Sequence, residues 1–443
     1  MRTFQTVALA CGLAALALPG PMAYAQATGA AENQGLKSPD ADQRARAAKE
    51  LAKTGTPADI PALTSLLKDE NEKVRREVVT AMASIHAAES LDPLIEATKD
   101  ESPDVRILAV EGLVGYYAGQ SQSGGFVGFW QNTWRRAKGH YVRDDSRIDP
   151  GISVDPKVVA ALVATLNNTE PVGPARRAAS GLGILLAKSA VPDLVKAAHA
   201  SDEDLAAEAL NALSKIQVLT AGPSLVDLLD SPSKQVRLET AVTVGILRTA
   251  EAVPKLQSMY ENNPDRTTQL RALEGLSYIG SPVSVPLFVK ALWDTDKAFR
   301  TLAAEGLARA RDEKGLPDLE KAVNAEKDGA TRLAMMFAVT ACGKMDYLSD
   351  LVNGLSSRLR GDVVQTYLIE LSRRPEMLAR LYPFLNSRET DVRRRLCVVL
   401  MYNGDASSIP YLEQLSQDSK NEVAGEALRA LRAVRLRAAS TSK

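Results

Sequence analysis

Apolar residues recur at helical spacing along most of the chain, in similar stretches of about fourteen residues. Examples are EKVRREVVTAMASI (72–85), KQVRLETAVTVGIL (234–247) and TDVRRRLCVVLMYN (390–403). Each carries an apolar residue followed by arginine near its start, and then apolar residues three or four positions apart, as amphipathic helices do. Val74 and Val105 occupy equivalent places 31 positions apart. The sequence therefore predicts an internal repeat.

A second apolar stretch follows a short turn in each repeat, as in SLDPLIEATKD (90–100) and EAVPKLQSMYEN (251–262). Proline stands near the start of these second stretches, at Pro93, Pro192, Pro223, Pro254, Pro286, Pro317 and Pro410. Because proline is tolerated in the first turn of a helix and costs about 3 kcal/mol in its interior, we predict two separate helices per repeat. Ser102-Pro103 and Ser231-Pro232 are predicted to supply the N-cap and the first helical residue of two first helices.

The repeated pattern resembles a known family of helical repeats. The motif D-x-V-R-x-x-A-x-x-G-L, typical of a HEAT repeat of the phycobilisome-lyase HEAT-like type, is found at Asp104-Val105-Arg106, Ala109 and Gly112-Leu113. This resemblance implies an all-α fold, an armadillo-like α-α superhelix (alpha solenoid) of roughly twelve two-helix repeats within residues 41–443. Stacked repeats bury the apolar faces that one helical pair cannot hide alone. The family implies a scaffold and no particular activity.

The first 25 residues are typical of a signal peptide. Arg2 precedes an apolar run at 7–18, and Ala23-Tyr24-Ala25 offers the small-x-small pattern of a cleavage site. The run is shorter than the roughly twenty residues that span a bilayer, so we expect no transmembrane segment in the mature chain. We predict cleavage near Ala25 and a periplasmic or secreted protein.

The mature chain would begin with a flexible segment at 26–40, followed by the repeats. A lipoprotein anchored through Cys11 is the alternative to cleavage near residue 25. Export would leave Cys342 and Cys397 in a compartment where disulfides form. Because these two residues fall in different repeats, we predict that both are buried and unpaired.

The third repeat contains the only long interruption, an insertion at about 118–152. Its first helix is predicted to end near Tyr117, and its second helix to begin at Asp155-Pro156. Loops of this length within compact domains are usually functional or disordered, and disordered segments lack aromatic residues. The insertion, however, holds two of the three tryptophans of the chain. We therefore predict that it has a structural or binding role.

The candidate binding residues combine aromatic rings with positive charge. They are Phe126, Phe129, Trp130, Trp134, Arg135, Arg136, His140 and Tyr141. Five exposed rings would exceed the apolar patch that soluble monomers usually carry, so something must cover them. The rings either fold back onto neighbouring repeats or are covered by a partner, and both readings stay open.

Catalytic signatures are absent from the sequence, so we predict no catalytic residue, no metal site and no cofactor. The histidines are scattered, and His86 and His199 are interpreted as surface residues. Glu111, Glu274 and Glu305 recur at equivalent repeat positions, which indicates a structural role. With 54 basic and 54 acidic residues, the chain is not expected to bind nucleic acid.

These patterns favour a non-enzymatic exported scaffold that binds a protein partner in the cell envelope, through its concave helical face and the 118–152 insertion. One alternative is an envelope glycan or anionic ligand bound by the aromatic and basic insertion. Another is a lyase-like enzyme or accessory of the kind that the family name suggests.

Overall fold

The computed structural model describes residues 34–119, 146–149 and 152–441. Within these ranges the chain forms α-helices and short 3₁₀-helices, and no strand. The predicted signal peptide lies outside the described residues, as do the eight candidate binding residues of the insertion. None of the described helices has the length and the apolar composition needed to cross a membrane.

The α-helices follow one another in pairs, with a longer first helix and a shorter second helix in most repeats. In the residues before the chain's midpoint they are α1 (Ala41–Thr54), α2 (Ile60–Thr64), α3 (Glu72–Ile85), α4 (Leu91–Ala97), α5 (Pro103–Ala118), α6 (Pro156–Asn167), α7 (Val172–Ile184), α8 (Val191–Ala198) and α9 (Glu203–Ile216).

The later helices continue the same alternation. They are α10 (Lys234–Ile246), α11 (Val253–Asn262), α12 (Arg266–Ile279), α13 (Val285–Ala291), α14 (Lys297–Ala310), α15 (Leu316–Ala325), α16 (Gly329–Ala341), α17 (Leu348–Asn353), α18 (Gly361–Leu371), α19 (Pro375–Leu381), α20 (Thr390–Asn403), α21 (Ile409–Leu415) and α22 (Asn421–Thr441). The all-α architecture and the two-helix repeat are as predicted.

Proline placement in the second helices agrees with the prediction at most sites, and one repeat differs. The segment Leu219–Asp230 forms a 3₁₀-helix with Pro223 inside it. Pro223 has no amide proton to donate to a carbonyl of the preceding turn, and this segment is the one among those predicted second helices that is 3₁₀ instead of α.

The predicted N-cap at Ser231-Pro232 is wrong. Ser233 is the N-cap of α10, and its Oγ accepts a hydrogen bond from the amide of Val236 at 3.4 Å. The Ser231 hydroxyl accepts instead from the Ser233 amide at 3.3 Å, so it forms the turn that precedes the helix. Ser102 and Pro103 stand at the N-cap and first position of α5 as predicted, although the Ser102 side chain makes no capping bond.

The chain divides into two compact halves, residues 1–216 and 217–443. Within each half, successive first helices pack with little space between their backbones. A Cβ on Gly183 of α7 would lie 2.6 Å from the Ala212 Cα of α9, and one on Gly245 of α10 would lie 2.5 Å from the Gly275 Cα of α12. Glycine is therefore required where these helices touch.

Arginines near the start of the first helices tie neighbouring repeats together. Each pairs with a carboxylate 25 or 26 residues later, in the turn before the next first helix. We call this series the arginine ladder; its pairs are Arg44–Asp69, Arg75–Asp100, Arg176–Asp202, Arg300–Glu326 and Arg393–Asp418. The apolar-Arg pair seen in the sequence is therefore a contact between repeats.

Each ladder pair is a two-point contact, as at Arg75, whose Nε and Nη2 donate to Asp100 at 2.9 and 3.1 Å. Such bidentate pairs fix geometry as well as charge. Hydrogen bonds from the arginines hold the pKa values of Asp69, Asp202, Glu326 and Asp418 below the usual range of carboxyl groups. These four carboxylates therefore stay ionised well into the acid range.

Candidate functional site

The eight predicted binding residues of the insertion lie outside the described residues, but the two ends of the insertion do not. The backbone amide of Asp155 donates a hydrogen bond to the Tyr117 hydroxyl at 3.0 Å. Helix α5 ends at Ala118, and α6 begins at Pro156 with Asp155 as its N-cap. The insertion therefore leaves the repeats and returns to them at one place.

A short described segment within the insertion packs on the repeats. Ile148 is buried, and its amide donates to the Ile184 carbonyl at the end of α7 at 3.0 Å. This part of the insertion is anchored on the body of the first half.

Glutamates at equivalent repeat positions each pair with an arginine on the first helices. The distances are 3.1 Å for Glu111–Arg177, 2.7 Å for Glu274–Arg271 and 3.4 Å for Glu305–Arg309. All six side chains are between 13% and 19% exposed. First helices in each half therefore present half-buried ion pairs at their surface. We call the surface of the second half that carries the pairs Arg271–Glu274 and Glu305–Arg309 the first-helix face.

The largest such cluster is centred on Arg309, near the end of α14. Its guanidinium contacts Glu305 on the same helix and, through Nε and Nη2, the carboxylate of Glu370 on α18 at 3.1 and 3.2 Å. It also donates to the Ser277 carbonyl at 3.2 Å and lies 5.2 Å from the centre of the Tyr278 ring. One arginine thus joins three first helices.

A tyrosine completes this cluster. The Tyr367 hydroxyl donates to Glu305 at 2.7 Å, and its ring stacks on Phe337 of the intervening helix α16 with centres 4.4 Å apart. We call Glu305, Arg309, Tyr367 and Glu370 the Arg309 network.

Electrostatics keep this network in one protonation state. Burial by itself would lower the pKa of Arg309, but the charges of Glu305 and Glu370 outweigh it and raise that pKa. Burial, followed by the charge of Glu305, raises the pKa of Tyr367 far above its ordinary value. At neutral pH the arginine is charged and the tyrosine hydroxyl is a donor, so the network offers fixed hydrogen-bonding groups.

In the first half, the corresponding pair of Glu111 and Arg177 favours its charged forms less. Burial raises the pKa of Glu111 despite the nearby charge of Arg177, and burial lowers the pKa of Arg177 despite Glu111. Both shifts disfavour the charged forms, because the pair loses more hydration than its attraction returns.

The histidine and cysteine predictions hold in part. His199 is exposed, whereas His86 is half-buried at the left-handed end of α3, with its ring nitrogens 2.9 and 3.0 Å from the carbonyls of Ala83 and Gly115. The prediction of a surface position is therefore wrong for His86, which bridges two repeats. Cys342 and Cys397 are both unpaired, Cys397 buried and Cys342 half-buried.

Over the described ranges, no group of three or more histidine, cysteine, aspartate or glutamate residues could hold a metal ion. Two clefts lie beside the arginine ladder instead. One, of about 360 Å³, is lined by the Arg75–Asp100 pair and by exposed lysines such as Lys68 and Lys99. The other, of about 240 Å³, lies beside Trp293.

Sequence reasoning overlooked Trp293, which is 54% exposed in the turn between α13 and α14. The position of Trp293 relative to the ladder arginine could have identified it from the sequence. Trp293 directly precedes Asp294, which lies six residues before the ladder arginine Arg300, and other repeats carry a polar or small residue at that place.

Comparison with protein-family models agrees with this architecture. The model of the HEAT repeats family matches residues 33–114, 159–245, 191–277 and 253–340, together more than half of the chain. Among solved structures, an engineered protein is similar at 18% identity and a TM-score of 0.41, over 92% of this chain and 99% of the other. The complex of CpcE and CpcF of phycocyanin lyase from Nostoc sp. PCC7120 is similar at 20% identity and a TM-score of 0.36, over 59% and 92%.

No curated protein matches the sequence. The family match rests on repeats in both halves, and the helical pairs and the arginine ladder give it a physical basis. The chain belongs to the HEAT repeats family.

Proposed function

We propose that the chain is a non-enzymatic scaffold of the cell envelope, which binds a protein partner through its first-helix face and through the insertion at 118–152. HEAT repeats commonly serve as scaffolds, since stacked repeats offer an extended surface. The export part of the proposal rests on the signal-peptide pattern at 1–25.

The observation that carries the proposal is the Arg309 network. Its charged side chains are between 14% and 19% exposed, and each is held by a partner at 3.4 Å or less. A surface whose side chains are already ordered loses less conformational entropy on association than a flexible one. Positive and negative side chains held in fixed places also favour partners whose surface charges are complementary to them.

The same network supports binding over catalysis. A general acid or base works best with a pKa near the working pH. The pKa values of Arg309 and Tyr367 are both displaced upward, away from neutrality. Arg309 and Tyr367 hold Glu305 and Glu370 in place by donating hydrogen bonds, and they are poorly suited to proton transfer.

Capture from an envelope extract tests the proposal, with three versions of the mature chain as bait. One is intact, and one carries a Gly-Ser linker in place of residues 120–145, so that the buried Ile148 and the contact between Tyr117 and Asp155 are kept. The third reverses a half-buried pair of the first-helix face, Arg271→Glu with Glu274→Arg. We expect a protein that the intact chain captures and that both altered chains lose or hold weakly.

The matched control reverses the pair Asp318 and Lys321 on the second helix α15, where the side chains are 40% and 70% exposed. Asp318→Lys with Lys321→Asp keeps the composition and an i,i+3 pair, so binding should be unchanged. Equal capture by all four chains would refute a role for the first-helix face and the insertion.

Export has a separate test. Residues 1–40 fused to a reporter that is active only outside the cytoplasm should give activity, and the mature protein should begin near residue 26. A full-length product that keeps Arg2 would contradict export by a cleaved signal.

A second candidate is binding of an envelope glycan or anionic ligand by the insertion, favoured by the aromatic and basic composition of 126–141. Trp130 and Trp134 would then change fluorescence on titration with a soluble envelope oligosaccharide. A response that is lost in Trp134→Ala would favour this candidate over a protein partner.

A further inference from the structure

Trp293 is a large apolar side chain in a place where other repeats carry a polar or small residue. Trp293 lies seven positions before the fourth residue of the next first helix. The same position holds Lys68, Lys99 and Asn262, all exposed, and the small residue Ala325 before α16. The fold therefore does not need tryptophan here. Scattered exposed apolar residues are common, so the surroundings of Trp293 decide whether it has a function.

Those surroundings form a cleft of about 240 Å³. Its walls include Leu292 and Met335, each 1% exposed, and the small residues Ala322 and Ala325. Leu292 and Met335 come from different repeats, so the cleft lies where two repeats meet. A tryptophan at the edge of an apolar recess is the arrangement in which interface anchors gain most of their binding energy.

Among the described residues, some charged side chains at the cleft are held in ion pairs, and others are not. Arg300 and Glu326 hold each other in a bidentate contact at 2.6 and 3.1 Å, and Glu326 is 4% exposed. Asp328 accepts from Lys297 at 3.0 Å and from the amides of α16. The carboxylates beside the cleft are therefore already engaged.

Two cations are available. Lys327 lines the cleft and is exposed, and the exposed guanidinium of Arg360 lies against Gly329, two residues further on. Neither forms an ion pair with any residue in the described part of the chain. The cleft thus combines an apolar recess, an aromatic edge and unpaired positive charge.

We propose that the Trp293 cleft binds an acidic peptide segment of a partner protein, with an apolar side chain in the recess against Trp293 and carboxylates facing Lys327 and Arg360. This inference goes beyond the proposed function, because the cleft lies at the start of α14 and the Arg309 network at its end. A neutral sugar fits less well, since it needs acceptors as well as donors and Glu326 is already paired.

Fluorescence anisotropy of a labelled synthetic peptide, Asp-Glu-Leu-Phe-Asp-Glu, titrated with the mature full chain, tests the proposal. Trp293→Asn places the residue of an equivalent position at this site, so the fold should be kept. We expect it to weaken binding about tenfold or more, as loss of an aromatic anchor does. Lys327→Glu should weaken binding several-fold and reduce its dependence on salt.

The matched control is Val283→Asn, which removes another exposed apolar side chain of the same repeat, 71% exposed, and should leave peptide affinity unchanged. A peptide with lysine in place of its acids and one with serine in place of Leu-Phe should both bind at least tenfold more weakly. Thermal melts by circular dichroism confirm that each variant is folded.

Three results would overturn the proposal: no saturable binding of the acidic peptide to the intact chain, unchanged affinity of Trp293→Asn, or equal binding of the lysine peptide. Binding of a neutral oligosaccharide, but not the peptide, would also overturn it. The Arg271→Glu/Glu274→Arg chain should bind the peptide normally, so failure here is separable from failure of the proposed function.

Discussion

Arg75 offers the sharpest test of the arginine ladder. Its side chain is 6% exposed and donates to Asp100, which is 8% exposed, and to Glu101 at 2.9 Å. It also donates to the Asp69 carbonyl at 2.8 Å. Arg75→Ala would leave the carboxylate of Asp100 buried without its partner, and the backbone carbonyl without a donor.

The expected cost follows from this burial. Removing one partner of a buried ion pair costs about 3–5 kcal/mol, because the remaining charge is uncompensated. Arg237 is the matched control: it holds the same place in α10 and donates to the carbonyls of Ser231 and Pro232 at 2.6 and 2.9 Å. Arg237→Ala loses hydrogen bonds to neutral acceptors and should cost about 1–3 kcal/mol.

Native-state hydrogen exchange read by mass spectrometry is the suitable assay, since global unfolding of repeat arrays need not be two-state. A loss of about 3–5 kcal/mol corresponds to exchange that is faster by a factor of roughly 10² to 10⁴. Arg75→Ala should show this faster exchange in peptides that cover α3 and α5. The double change Arg75→Met with Asp100→Leu should recover most of the protection.

The reasoning fails if Arg75→Ala exchanges no faster than Arg237→Ala in the corresponding helices. It fails also if the double change is as unprotected as Arg75→Ala, because the uncompensated charge would then not be the cause.

Three further outcomes follow from the structure. Gly275→Ala would push a methyl group into the backbone of α10 and should lower the thermal midpoint, whereas Gly425→Ala, with nothing within 4 Å, should raise stability by about 0.5–1 kcal/mol. A hydrogen bond from Lys234 lowers the pKa of Asp265 to about 2 from 3.8, so its stabilisation is complete above pH 3.8 and is lost as pH falls towards about 2; Asp265→Asn should lose less helical signal over that interval. Burial raises the pKa of the Cys397 thiol to about 12, so a thiol reagent at pH 8 should label it only after denaturation, and rapid labelling of the native protein would refute its burial.

The helical repeat could be predicted because it depends on local periodicity. Apolar spacing and proline placement are signals that act within a few residues. The first helices lie at the positions that these signals predict. The apolar-Arg pair was visible as well, but its partner was not. The carboxylate lies 25 or 26 residues away and varies between aspartate, as at Asp100, and glutamate, as at Glu326.

The candidate site was less predictable, since it depends on contacts between repeats. Glu305 was identified from its recurring position, whereas Glu370 and Tyr367 lie about two repeats further along and stand out in no local pattern. The N-cap at Ser231 was wrong because Ser233, two residues later, competes for the same role. Trp293 could have been found from the sequence, because the same position in other repeats holds a polar or small residue.

The central claim is that a partner is recognised by the ordered charges of the first-helix face. Titration calorimetry of the captured partner against the intact chain and the two charge-reversed chains measures it directly. The account predicts that Arg271→Glu/Glu274→Arg raises the dissociation constant about tenfold or more. Asp318→Lys/Lys321→Asp should leave the dissociation constant unchanged. Equal dissociation constants for the intact chain and both variants would contradict it.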